Sequence, residues 1–394
     1  MQNKIFKIII SLSIFFLLPH SSEAAPAIDS VSGTISDRQS VTIAGGGFGE
    51  SGPNVAMFDD FERGNDGQAL SAAANIGTYT SIRNTVYSFA DSKLSNSKGA
   101  RIIPTGASIG DYAGFAKTFA APTTEVFMTS IGYIPNGHRW PNSSDLRTYP
   151  DSSCLKHHWA YYGANGYQGD GQGIPDGGTE PDIISAMKIA GDTWARVSSN
   201  DTTPRGNFDL TDDKDAMWDW DEPVRFSFWA KTNGVSAVGS DGLFQKVGPG
   251  GQIYARYKDQ KAWCRAGDLY CGFDRASFPG WIRVIAGDPG FPTSNYVIDD
   301  IYMATGPNAA ARIELGNNPV YANCTKMAIS TPTAWSDSAV TATIREGLFK
   351  SGDSIYLFVV DANGDASPAY GPMTFGSTIG DTTAPEAPTG LGVL

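Results

Sequence analysis

The chain is poor in cysteine and histidine, with four of each among 394 residues. Four cysteines are too few to form a disulfide scaffold for a chain of this length. The histidines give no zinc-ligand spacing: His20 lies near the N-terminus, His138 stands alone, and His157 and His158 are adjacent without a third ligand. Basic residues are also scarce. Lys and Arg total 29 against 41 Asp and Glu, a formal net charge of −12, and they are not gathered into a stripe. A DNA- or RNA-binding surface is therefore not expected. Beyond the N-terminal segment no apolar run is long enough to span a bilayer. No stretch carries the pattern of a long helix.

The N-terminus itself is distinctive. A short cationic start, MQNKIFK, precedes the apolar run IIISLSIFFLL, which is too short to span a bilayer. Ser22, Glu23 and Ala24 then fit a small-x-small cleavage signal. Residues 1–24 read as a signal peptide cut after Ala24 or Ala25. The mature chain is expected to be exported, extracellular or at the cell surface, with no transmembrane segment after signal removal. Export permits disulfides. Cys264 and Cys271, seven apart in WCRAGDLYCGF, are expected to form a short cystine. Whether Cys154 and Cys324 pair is left open. The carboxylates fall in short clusters between apolar segments, where loops could hold calcium, an ion the extracellular space supplies.

The clearest organisational signal is a pattern that starts, breaks off and resumes. Residues 26–49 (PAIDSVSGTISDRQSVTIAGGGFG) contain an alternating β-branched run and a glycine cluster, with Phe48 as an expected core plug. Residues 311–375 contain AVTATI, which alternates at period two, and IYLFVV, a continuous apolar run suited to a central strand. The DANGD that follows reads as a tight turn. Asp361, Asn363 and Asp365 also occupy alternate positions of a calcium-loop kind, without the closing Glu. Pro26, Ile28, Val31, Val41, Thr42, Ile43, Gly45, Gly47, Phe48 and Gly49 resemble the opening of the IPT/TIG family of immunoglobulin-like domains. Trp335, Ser336 and Asp337 with AVTATI, then SGDSIYLFVVDANGD and GPMTF, resemble its later strands. The resemblance implies a seven-stranded sandwich used as a spacer or interaction module, and no catalysis. It predicts a discontinuous domain over 26–57 and 309–376.

Between the two blocks lies an insert, 58–308. It opens with Phe58, Asp59, Asp60, Phe61 and Glu62 and closes with Tyr296, Val297, Ile298, Asp299, Asp300, Ile301 and Tyr302. Both ends alternate apolar side chains with carboxylates, as two neighbouring strands would. Many short strand candidates, separated by Gly, Pro, Asn and Asp, lie between them. The expected fold class is all-β: a large antiparallel jelly roll inserted in a small immunoglobulin-like sandwich. The insert resembles concanavalin A-like and laminin-G-like jelly rolls. That resemblance implies a structural calcium shared by Asp60 or Glu62 with Asp299 or Asp300.

Two long loops are predicted, 134–182 and 199–222. The first gathers Trp140, His157, His158, Trp159, Tyr161, Tyr162 and Tyr167, followed by Asp170, Asp176, Glu180 and Asp182; the second carries Trp218 and Trp220. Aromatic faces stack on sugar rings, and carboxylates bind hydroxyls. Packing of these loops onto the sheets accounts for the same residues. The ligand-binding set is taken as Trp140, His158, Trp159, Tyr161, Tyr162, Trp218 and Trp220, and the partner as polysaccharide or cell-surface glycan. A polysaccharide lyase is the alternative. Gln252, Tyr254, Arg256 and Lys258 share one face of an extended strand. Tyr254 or His157 would serve as base, with Arg256 and Gln252 neutralising a uronate. The sequence resembles jelly-roll lyases only in part, because Tyr254 stands where their Gln-Ile-His segment has histidine. A purely structural part of an extracellular assembly is a third reading. Residues 377–394 read as a flexible tail that resembles a linker to a fibronectin type III module.

Overall fold

Alternation and burial build a protein made almost wholly of strands. The computed structural model describes residues 25–83, 86–90, 98–102, 114–133, 154–162, 182–188, 195–199, 209–212, 223–231, 242–247, 253–260, 272–279, 281–282 and 296–379. Strands β1 (Ala27–Ile35), β2 (Ser40–Gly46), β3 (Asn54–Asp59), β4 (Ser81–Arg83), β5 (Val86–Ala90), β6 (Lys98–Ile102), β7 (Gly114–Thr123) and β8 (Glu125–Tyr133) come first. They are followed by β9 (Cys154–Tyr162), β10 (Asp182–Lys188), β11 (Ala195–Ser199), β12 (Asp209–Asp212), β13 (Val224–Lys231), β14 (Gly242–Val247), β15 (Ile253–Gln260), β16 (Phe273–Pro279) and β17 (Trp281–Ile282). The last are β18 (Tyr296–Thr305), β19 (Arg312–Gly316), β20 (Met327–Ser336), β21 (Ala339–Thr343), β22 (Ser354–Val360), β23 (Tyr370–Thr374) and β24 (Ser377–Ile379). Among the described residues no helix is long and apolar enough to cross a membrane.

One sheet runs β23-β22-β19-β20-β21-β2-β1-β24, so strands from both ends of the chain share a ladder. Val41 and Ile43 of β2 pair with Ala342 and Val340 of β21. β20 folds the sheet on itself: Met327–Ser330 pair with β19, and the register shifts at Pro332 and Ala334 where the strand moves to β21. The resulting small sandwich closes over Val31, Ile35, Val41, Ile43, Phe48, Ile313, Leu315, Val340, Ile355, Leu357 and Val359. Every other residue of β2 points into this core, as its period-two pattern requires.

Two further sheets form the large sandwich. One runs β12-β11-β10-β9-β16-β7-β4, with β17 also on β9; the other runs β15-β14-β13-β8-β18-β6-β5, with β3 on β18. Burial along β8 is unbroken. The reason is that its sheet is covered on both faces. One face meets the first sheet, where Phe228 stacks on His158 at 6.2 Å and Phe278 meets His158 edge-on at 5.5 Å. The other face packs Phe127, Trp229, Tyr302 and Ala304 against Ala309, Ala310 and Ile329, which belong to the small sandwich or lead into it.

That second contact is held by charge as well as by apolar area. Arg225 reaches across from β13 to Glu314 of β19 and also donates to Thr129 Oγ1 at 2.9 Å. Arg312 donates to Glu314 at 2.9 Å, to the Ala310 carbonyl at 2.7 Å and to Tyr321 at 2.9 Å, and its guanidinium lies over the Phe127 ring. Tyr321 donates to the other Glu314 oxygen. Burial alone would raise the Glu314 carboxyl, but Arg225 and Arg312 outweigh it and hold it at about 2.

The turn after β22 is closed by Asp361 Oδ1, which accepts from Asn363 N at 2.8 Å and Asp365 N at 2.9 Å. It is an Asx-type hairpin turn. Cys324 is a free buried thiol beside Met327 and Phe358, so the optional bond to Cys154 is not formed. Cys264 and Cys271 lie outside the described residues.

Candidate functional site

Two places in the fold bring together chemistry-bearing residues. The first is the seam where the two sandwiches meet. β3 and β18 run antiparallel, from Ile301 opposite Asp59 to Thr305 opposite Asn54, so the ends of the large sandwich are neighbours. Asp60 and Glu62 follow β3, and Asp299 and Asp300 lie within β18. Successive strand residues normally face opposite ways. A register shift between Asp299 and Tyr302, with Asp300 at φ 43°, breaks that alternation. Asp299 and Asp300 therefore line the same small cavity as Asp60 and Glu62.

The small sandwich supplies the rest of that cavity: Asp37 from the β1–β2 turn, and Arg345, Glu346 and Gly347 after β21. Asp60 Oδ2 accepts from Arg38 at 3.1 Å and Arg345 at 3.4 Å, and its Oδ1 accepts from Glu62 N at 3.2 Å. Asp37 accepts from Glu346 N at 3.3 Å. Glu62 accepts from Lys98 N at 3.0 Å. Burial, then the charge of Asp300, pushes the Asp299 carboxyl well above the usual carboxylate range. Burial, Asp60 and Asp37 push Asp300 up to about 8; burial, Asp37 and Glu62 push Glu346 up to about 7. The four carboxylates expected from sequence thus meet at one place. Asp37 and Glu346 join them without any sequence signal, because each sits in an unremarkable turn and only the fold brings them near. Among the described residues no group of three acidic, His or Cys side chains is already arranged to hold a metal ion.

Asp59, in the same acidic stretch, has a different role. It is buried, accepts from Arg63 at 2.7 Å and from Tyr79 at 2.5 Å, and secures the start of the loop that leaves β3.

The second place is the sheet containing β9. The expectation of one loop over 134–182 is corrected here: Cys154–Tyr162 is a strand in the middle of a sheet, and Asp182 begins another. Asp209–Asp212 is likewise a strand within the expected 199–222 loop. Tyr161 stands opposite Asp182 on one neighbour and Arg275 on the other, and Trp159 stands opposite Ile184 and Ser277. His158 is corrected from sugar contact to core. It is 0% exposed, and its Nε2 lies 3.2 Å from Ser130 Oγ between the two sheets. Alternation along β9 makes that unavoidable for one of two adjacent histidines.

Of the residues expected to act in a lyase, those described lie on two different sheets. Tyr254 and Arg256 lie on β15, an edge strand, with Arg256 opposite Gln245. His157 belongs to β9 in the other sheet. Tyr162 lies on β9 opposite Phe273. Trp140, Trp218, Trp220, Tyr167 and Gln252 lie outside the described residues. Arg275 and Ser277 were missed because β16, with Asp274 and Arg275 interrupting its apolar pattern, does not read as a strand.

No protein-family model matches the sequence, and no curated protein matches it. Several solved structures are similar in fold. One is a double mutant of alginate lyase Aly36B in complex with alginate tetrasaccharide, 13% identical over 65% of this chain and 98% of that one, with a TM-score of 0.42. Another is alginate lyase vAL-1 from Chlorella virus, 12% identical over 58% and 92%, TM-score 0.38. A third is a marine alginate lyase from Aplysia kurodai, 11% identical over 56% and 87%, TM-score 0.37. The chain is an all-β protein of antiparallel sandwiches.

Proposed function

We propose that this chain is an exported protein that engages polysaccharide on its large sandwich and displays that sandwich on the small one. The single observation that carries the reading is the register of the β9 sheet. Tyr161 is flanked by Asp182 and Arg275, and Trp159, two residues away, by Ile184 and Ser277. Aromatic rings for stacking, a carboxylate for hydroxyls and a guanidinium for an acidic group are what an acidic sugar polymer requires. The small sandwich takes the spacer role that its IPT/TIG-like sequence implies. Binding without cleavage is the main reading.

A lyase is the second reading, favoured by the direct pairing of Tyr161 with Arg275. A tyrosine could take the C5 proton of a uronate while an arginine neutralises its carboxylate. The C4–O bond would break as a C4–C5 double bond forms, and the leaving oxygen would take up a proton. One experiment addresses both readings. The mature protein is incubated with neutral and acidic polysaccharides, alginate included. Retention on each polymer and ultraviolet absorbance from unsaturated uronate ends are then recorded. Retention that Trp159→Ala abolishes, without new absorbance, is the expected outcome. New unsaturated ends, lost in Tyr161→Phe, would establish the lyase instead. Neither signal on any polymer would remove polysaccharide from consideration and leave a structural part.

A further inference from the structure

The charged contact between the two sandwiches is short of one negative charge. Arg225 of β13 and Arg312 and Glu314 of β19 are buried together, at 5%, 5% and 1% exposure. Two guanidiniums against one carboxylate leave one positive charge shielded from water. Burial, ahead of any other cause, pushes the Tyr302 and Tyr321 phenols up from their ordinary value, so neither ionises to balance it. Glu125, four residues from Thr129 along β8, is committed to Trp229 Nε1 at 2.8 Å and to Lys231 at 3.4 Å. Asp60 is held by Arg38 and Arg345. A buried charge without its counter-charge is strongly unfavourable.

The hydrogen bonds fail to close at the same place. Arg312 places Nε on Glu314, Nη1 on the Ala310 carbonyl and Nη2 on Tyr321. Arg225 places Nε on Thr129 Oγ1 and Nη2 on Glu314, but its Nη1 is buried with no acceptor among the described residues. Tyr302 is 0% exposed, and its hydroxyl has no partner among them either. Thr129 does not serve it: the Thr129 oxygen already accepts from Arg225 and Ser227 and donates to the Phe226 carbonyl. The two orphaned donors share a sheet face. Tyr302 stands opposite Thr129, Thr129 stands opposite Ser227, and Arg225 is two residues along from Ser227. Tyr302 packs there against Ala309, Ala310 and Ile329, on the side that meets the small sandwich.

The missing partner must therefore accept from an N–H and an O–H and carry a single negative charge. Water satisfies the hydrogen bonds and leaves the charge. A divalent oxyanion overshoots the charge. A halide accepts from any direction and brings one charge with no substituent to house. We propose that the seam binds one chloride-sized monovalent anion, held by Arg225 Nη1 and the Tyr302 hydroxyl of the large sandwich and balanced against Arg312 and Glu314 of the small one. The anion ties the two sandwiches together from within, and it stands independently of the polysaccharide reading.

The test uses the full mature chain, dialysed into sodium gluconate and titrated with sodium chloride or sodium bromide at constant ionic strength, so that general screening stays fixed. A saturable rise in thermal midpoint is expected with either halide. Crystals grown in bromide should show one anomalous-scattering peak within hydrogen-bonding reach of Arg225 Nη1 and the Tyr302 hydroxyl. Tyr302→Phe removes one donor and should weaken halide affinity by about tenfold, while far-ultraviolet circular dichroism stays that of the parent. Arg225→Gln removes the surplus charge and should abolish the response. Glu314→Gln raises the surplus and should bind chloride more tightly than the parent, which a merely damaged seam would not do. If Arg225→Gln does not fold, Tyr302→Phe and the bromide peak still decide. Absence of a midpoint rise in the parent overturns the proposal. So does water alone at the site in bromide crystals, or a halide response that Tyr302→Phe leaves intact.

Discussion

Glu314 shows how much one residue can hold. It is 1% exposed and serves Arg225, Arg312 and Tyr321 at once, joining two sandwiches. Glu314→Gln leaves two guanidiniums short of their anion and should cost about 3–5 kcal/mol, read from the denaturant midpoint. Its folded value of about 2 lies below the ordinary 4.5. Its contribution is therefore whole above pH 4.5 and is lost as pH falls through about 2. Over that window the parent should lose stability with acid more steeply than Glu314→Gln. His158 makes the opposite point about sugar contact. His158→Phe keeps the ring and leaves Ser130 without its partner, so it should cost about 1–3 kcal/mol in stability. Polymer retention by the folded protein should be unchanged; a selective loss of retention would return His158 to the binding set. At this scale the sequence was readable where residues stand in strands. Asp60, Glu62, Asp299 and Asp300 could be paired because the two end strands of the insert announce themselves. Asp37 and Glu346 could not, since nothing in a turn's composition says what it will face across a domain boundary.

Strands were legible in proportion to the regularity of their pattern. VRFSFWAK and GLFQKV, each bounded by loop-forming residues, are β13 and β14. β9 was read as loop because Trp, Tyr and His in a polar stretch look alike whether they line a sheet or a loop. β16 was missed because burial of Ser277 and the placement of Arg275 depend on neighbours far off in sequence. The glycine cluster after β2 has a reason that sequence could only hint at. A Cβ on Gly45 would lie 1.9 Å from the Ala27 carbonyl oxygen and 2.6 Å from the Phe48 ring. Gly45→Ala should push β1 from β2, at roughly 1–3 kcal/mol. Hydrogen exchange of amides in Ala27–Ile35 should accelerate more than that of amides in β8. Equal acceleration in both would mean the two sandwiches open as one unit.

For the whole molecule, the pairing of Asn54 with Thr305 places the two crossings side by side, with Asn54 Nδ2 3.1 Å from Thr305 Oγ1. A short Gly-Ser link should therefore replace the large sandwich. Residues 25–53 joined to 306–379 should fold, with nuclear Overhauser contacts between Ile43 and Val340. This excised unit should be less stable than in the parent, because Arg225 is gone from Glu314 and Ala309, Ala310 and Ile329 lose their cover. A disordered spectrum would show instead that the small sandwich needs its guest. The pairing of β1 with β24, Gly33 opposite Ile379 and Ile35 opposite Ser377, has a mechanical reading. Tension applied between Ala27 and Ile379 enters a ladder whose two strands leave toward the same end, so it peels them apart pair by pair. By chain order, either β1 and β2 or all of β19 to β24 must unravel before the pull reaches residue 54 or 305. The large sandwich hangs outside the line of tension, a pendant that keeps its shape while its bracket bears the strain.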